Sequence, residues 1–154
     1  MSDLTLSADV RTDLSTRQTT LKWVIVVDRA LPAGLLVNAA ACVSAAVGRN
    51  LPELIGPDGE DAGGVRHRGL PWMGCPVLAA DADTLRAVHA GAVARGDELL
   101  VVGMSQLAQN ARVYDAYLDE LAGTKGEDLA YRAIGLVGPR KAVDRLVGGL
   151  GLLR

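Results

Sequence analysis

Phenylalanine is absent from this sequence, and all aromatic residues together make up only 3% of it. With 49% of the 154 residues hydrophobic, the core must be aliphatic, built from Leu, Val, Ile and Ala, which suits helices packed on a short sheet. Cysteine is scarce. Cys42 and Cys75 are too few for a disulfide scaffold and read as reduced thiols of a cytoplasmic protein. Histidine is limited to His67 and His89, and two cysteines with two histidines lacking ligand spacing do not make a zinc site. No motif announces a cofactor. A basic excess is also missing: 16 Lys and Arg stand against 18 Asp and Glu, for a net charge of −2. Phosphate neutralisation dominates nucleic-acid affinity, so a DNA partner is excluded and a tRNA partner disfavoured. No apolar run approaches the roughly 18–20 residues that span a membrane. The first 20 residues carry Asp3, Asp9 and Asp13 without an apolar stretch, which excludes a secretory signal.

What is present is an alternation of short apolar runs and helical patterns. Residues 1–20 read as a polar arm, and 21–154 as a single domain. Residues 21–28, rich in β-branched side chains, predict an internal strand buried on both faces. An alanine-rich helix over 35–47, apolar all round and therefore buried, should stop at Gly48. Prolines and paired glycines mark 49–74 as a long irregular excursion. A second strand over 75–80 precedes a helix over 84–95 capped by Asp83, then a strand over 98–102. Ser105 caps one helix running to Gly123. A strand over 131–137 leads through Pro139 into a last helix ending near Val147. Alternating elements of this kind predict a three-layer α/β fold: a four-stranded, mostly parallel (mixed) sheet with helices on both faces.

Open α/β sheets bind ligands beyond the carboxyl ends of their strands. Arg29 follows the first strand and Ser105 the third, so both should lie at that rim. Asn38 is about one turn into the first helix, and Gln106 opens the helix after the third strand. Arg29 would meet an anionic group, Asn38 and Gln106 would orient the ligand, and Ser105 would hydrogen-bond it. Two helix N-termini favour an anionic or carbonyl-bearing ligand there. Trp72, in a glycine-rich loop, is either a pocket wall or an anchor for the loop. Cys42 shares a helix face with Asn38 and reads as a small hydrophobe. Ser44 has no base beside it and no GxSxG elbow. His67 reads as a solvated loop residue and His89 as half-buried packing.

Lys22-Trp23-Val24-Ile25-Val26-Val27, followed by Leu31, Gly34, Ala39-Ala40, Cys42 and Ala45-Ala46, resembles the opening of type II peptidyl-tRNA hydrolases. Gly103-x-Ser105-Gln106 is similar to their Gly-x-Thr-Gln, and the stretch from Gly138-Pro139 to Leu153 resembles their ending. A closer likeness is to an uncharacterised bacterial domain-of-unknown-function group of that superfamily, the DUF 2000 type. It rests on Asn38 and its helix, Glu53-Leu54-Ile55-Gly56, Leu85-Arg86-x-x-His89 and Arg140-Lys141-x-Val143-Asp144. The resemblance implies the fold and a homodimer. At the enzyme family's polar positions this chain carries Leu35, Ala41, Ser44 and Val101, so peptidyl-tRNA hydrolysis is not expected. The expected function is binding, or acting on, a small acyl or aminoacyl compound. The alternative is a non-enzymatic dimeric binding or regulatory module on a degenerate hydrolase scaffold.

Overall fold

Leu21–Asp28 forms β1, and every residue in it except Lys22 is buried, as a β-branched run covered on both faces should be. A computed structural model describes residues 10–154. After β1 come α1 (Ala33–Asn50), a small hairpin of β2 (Gly59–Glu60) and β3 (Arg66–His67), β4 (Val77–Ala80) and α2 (Ala82–Val93). The chain continues through β5 (Leu100–Ser105), α3 (Gln106–Asn110), α4 (Tyr114–Ala122), β6 (Tyr131–Pro139) and α5 (Arg140–Val147).

The main sheet has four strands in the order β4-β1-β6-β5, with β1 internal as expected. Its expected mostly parallel character is not observed. Only β4 and β1 are parallel, while β6 runs antiparallel to both β1 and β5. The reason lies in how the chain leaves β5. A helix between two strands makes a parallel pair only if it carries the chain back along the sheet. Here α3 and α4 stay at the end where β5 finishes. Gln106 and Ala130 exchange backbone contact (N to O, 2.8 Å), and β6 re-enters with Ser105 opposite Tyr131. The β5-to-β6 connection is thus an elaborated hairpin. Since β6 opposes both neighbours, β1, β4 and β5 all run the same way and end at one rim.

The two faces of the sheet carry separate aliphatic cores. On one, Trp23, Ile25 and Val27 meet Ala39, Val43 and Val47 of α1, closed by Leu54 and Met73 from the long loop. On the other, Val24, Val26, Ile134 and Leu136 meet Leu85, Val88 and Ala92 of α2 and Val143 and Val147 of α5. Gly135 lets α1 approach the sheet closely: a Cβ there would lie 2.6 Å from Val43 Cγ1. The β4 edge is covered by the C-terminal segment, through an isolated bridge between Leu78 and Leu152.

Three local expectations change. α1 is not buried all round. Ala39, Val43 and Val47 face the sheet, whereas Leu35 (41% exposed), Val37 (70%) and Cys42 face outward. It also runs through Gly48 to Asn50, stopping just before Pro52. The helix expected from Ser105 to Gly123 is two helices, because Ala111 and Val113 adopt extended backbone. Nothing in the local sequence marks that break. The α2 cap is Asp81, not Asp83, with its carboxylate accepting from Thr84 N–H at 2.8 Å. Of the polar arm, residues 1–9 lie outside the described residues, and the remainder is docked by turns. Thr19 is buried, and Arg140 donates through Nε to the Thr19 carbonyl (3.1 Å) and through Nη2 to the Thr16 carbonyl.

Candidate functional site

The common rim of β1, β4 and β5 holds most of the residues singled out from the sequence, but their side chains go to separate tasks. Asp28 closes the turn after β1 by accepting from Ala30 N–H at 2.9 Å. Arg29 beside it is exposed and reaches Asp81 at 3.6 Å. Asp81 sits below the usual carboxylate range, chiefly because Thr84 N–H donates to it, with Arg29 a lesser cause. Ser105 is buried and caps α3 through Ala108 N–H (3.4 Å). Gln106 turns toward the start of β6, its Oε1 accepting from Ala130 N–H at 2.7 Å. Asn38, on the outer face of α1, instead meets Gln109, which donates to Asn38 Oδ1 (3.2 Å) and to the Leu35 carbonyl (3.0 Å). Trp72 anchors the long loop: its indole N–H donates to the Glu53 carbonyl at 2.8 Å, and its own amide to Leu54 O at 3.0 Å.

The space nearest these residues opens one step further along, between α1 and the β5 edge. A cavity of about 420 Å³ is lined by Cys42, Val43 and Ala46 of α1 and by Val102, Gly103 and Met104 of β5. Its far wall is the α3–α4 corner, with Ala108, Ala111, Arg112, Tyr114 and Tyr117. None of Arg29, Asn38, Trp72, Ser105 and Gln106 lines it. The break between α3 and α4 makes this wall. It lets Tyr117 turn inward while Tyr114 stands 72% exposed at the mouth, the two rings in edge contact at 5.4 Å. Sequence reading missed the corner because Tyr114, Leu118 and Leu121 fit a single uninterrupted helical face. No local signal marks the bend that brings Arg112 and the two tyrosines to one wall.

Charge in the cavity comes from one group. Arg112 is its only ionisable side chain of fixed charge, and among the described residues it makes no ion pair or hydrogen bond. The floor at Gly103 is thin for a reason on the opposite face. A Cβ there would meet Tyr131 Cε1 at 2.8 Å and His89 Cδ2 at 3.4 Å. His89 and Tyr131 stack with centroids 4.1 Å apart. Burial lowers the His89 pKa from its ordinary value. Burial first, and the neighbouring Tyr117 second, raise that of Tyr131. The sheet separates this pair from Cys42, so the thiol has no imidazole base.

Together these features define a three-layer α/β domain with a mixed sheet and an apolar, singly charged cavity at its β5 edge. The chain belongs to the family described as protein of unknown function (DUF2000), whose pattern spans residues 21–154. Among solved structures, the protein of unknown function Atu0240 from Agrobacterium tumefaciens strain C58 superposes with a TM-score of 0.81. It shares 18% identity, with 88% of this chain and 98% of that chain covered, a likeness that shows the fold. No curated protein matches the chain.

Proposed function

We propose that the domain binds a small, largely apolar acyl or aminoacyl compound carrying an anionic group, seated between α1 and the α3–α4 corner. The observation that carries this reading is Arg112, without a partner among the described residues, on an otherwise largely apolar cavity of about 420 Å³. That volume lies within the range of small-molecule sites, and a guanidinium matches a carboxylate fork to fork. Cys42 without a base, and Ser44 without one in the sequence, favour binding over turnover. The test is calorimetric titration with an N-acyl amino acid and its methyl ester. The acid should bind and the ester should bind more weakly. Arg112→Gln should weaken the acid roughly tenfold, and Ala46→Phe should abolish binding of both. Equal affinity of Arg112→Gln and the parent for the acid would refute the reading.

The link to type II peptidyl-tRNA hydrolases belongs to the same proposal, supported by the Lys22–Val27 strand, the alanine-rich α1 and the Gly103–Gln106 turn. On it, N-blocked aminoacyl-tRNA should stay intact in the presence of the protein, because Leu35, Ala41, Ser44 and Val101 replace the polar set. Efficient release that a cavity substitution abolishes would overturn this. A second reading, a homodimeric non-enzymatic module, is favoured by the exposed Val37, Val113, Tyr114 and Leu118. Sedimentation should then show a dimer that Leu118→Glu dissociates, and a monomer at all concentrations would exclude it.

A further inference from the structure

The rim opposite Arg29 and Ser105 carries a second cavity, of about 550 Å³, whose walls are cationic. Lys22 comes from the start of β1, opposite Gly138 near the end of β6, and Arg140 is the first residue of α5. Arg17 and Thr16 come from the docked N-terminal segment, and Gly74 to Pro76 close the other side.

Hydrogen-bond donors around this cavity are in excess. Arg140 commits Nε and Nη2 to the carbonyls of Thr16, Thr19 and Leu21 and to the Thr19 hydroxyl, leaving Nη1 without a partner among the described residues. Lys22 Nζ donates one of its three hydrogens, to Asp144 Oδ1 at 2.5 Å. Arg17 makes no ion pair or hydrogen bond among the described residues. Thr16 Oγ1 accepts from Gly74 N–H at 2.9 Å, so its own hydrogen remains free to donate. Two lining carbonyls are already occupied: Thr16 O by Arg140, and Pro76 O by Ile25 N–H at 3.1 Å. Among the described residues, no carboxylate lines the space. Asp144, behind Lys22, balances one of the three cations and leaves two positive charges facing one cavity. Like charges gathered this way repel unless an anion joins them. We infer that this cavity is an anion site that takes a phosphate or phosphomonoester group, bound by Arg17, Lys22 and the free edge of Arg140. Cys75, whose thiol burial pushes up to about 12, serves there as a neutral wall.

This site is independent of the β5-edge cavity. The test is calorimetric titration of the full chain with inorganic phosphate and with glycerol 3-phosphate, against chloride at matched ionic strength. Saturable binding that weakens as salt rises is expected. Arg17→Gln and Lys22→Gln should each raise Kd roughly tenfold. Arg17→Gln should not lower the unliganded Tm, since Arg17 makes no ion pair or hydrogen bond among the described residues and its loss relieves repulsion. Arg140 is left intact because it clamps the N-terminal segment. Tighter binding of glycerol 3-phosphate than of phosphate assigns the site to phosphorylated metabolites, and equal binding assigns it to the oxyanion itself. No saturable binding of either probe, or parent-like binding by the Arg17→Gln/Lys22→Gln variant, would overturn the inference.

Discussion

Replacing Gly135 with alanine tests how closely α1 is seated on the sheet. Gly135 is on a central strand, opposite Ile25 on one side and Val102 on the other. Its missing Cβ would lie 2.6 Å from Val43 Cγ1 and 3.3 Å from Val47 Cγ2. Valine on a helix has one strongly preferred rotamer, so the clash cannot be relieved by a side-chain swing. The helix or strand must move. Such overpacking costs about 1–3 kcal/mol, or roughly 2–12 °C in Tm for a domain of this size. Val43→Ala alone, at a site 1% exposed, should cost about 2 kcal/mol through lost burial and a residual cavity. The double variant is the informative one. With Val43 shortened, the new methyl enters the vacated space, so the double variant should be less destabilised than the two singles added, by about 1 kcal/mol or more. Chemical denaturation of the four proteins closes the cycle. A neutral Gly135→Ala, or strict additivity, would refute the close-approach argument. Because α1 supplies Cys42, Val43 and Ala46 to the cavity, Gly135→Ala should also weaken any ligand bound there.

Gln106→Ala should destabilise by about 1–3 kcal/mol, because it strands the Ala130 N–H at the entry to β6; parent-like stability in urea would remove Gln106 from that role. Cys42 should react with a thiol reagent in the folded protein, whereas Cys75, partly covered and with its pKa at about 12, should react only on unfolding; mass-resolved labelling of both at equal rates would contradict this. His89 has a folded pKa below its ordinary 6.5, so the unfolded chain takes up a proton that the folded chain resists. Its contribution is therefore full above about pH 6.5 and is lost as pH falls from there toward the depressed folded value. His89→Phe, which keeps a ring against Tyr131, should flatten that part of the urea-midpoint profile, and an unchanged slope would show that the titration lies elsewhere.

Much of the layer architecture was legible because it rests on periodicity. The buried run of β1, the capping hydroxyl of Ser105 and the stop at Gly123 are local signals, and each appears where the sequence places it. Strand direction was not legible. Whether α3 and α4 cross the sheet or stay at its end depends on Gln106 meeting Ala130, a contact across sequence that no window contains. The same is true of the cavity. Arg112 becomes notable only once the chain bends between α3 and α4. Conversely, Asn38 is a polar residue on a run of alanines, which reads as buried chemistry. In the fold it stands on the outer face of α1, tied to Gln109.

The central pair of strands, β1 and β6, joins two stretches of sequence that lie on either side of everything else described except the segment before β1, α5 and the closing segment. During synthesis β1 emerges well before β6, apolar on both faces and with one long edge destined for a partner not yet made. Neither core can seal until that partner arrives, since Ile134 and Leu136 belong to one and Ala133 and Val137 to the other. A chain arrested anywhere before β6 should therefore be a client for chaperones rather than a partly folded domain, and a split of the sequence in the long loop should be rescued only when both pieces are supplied together.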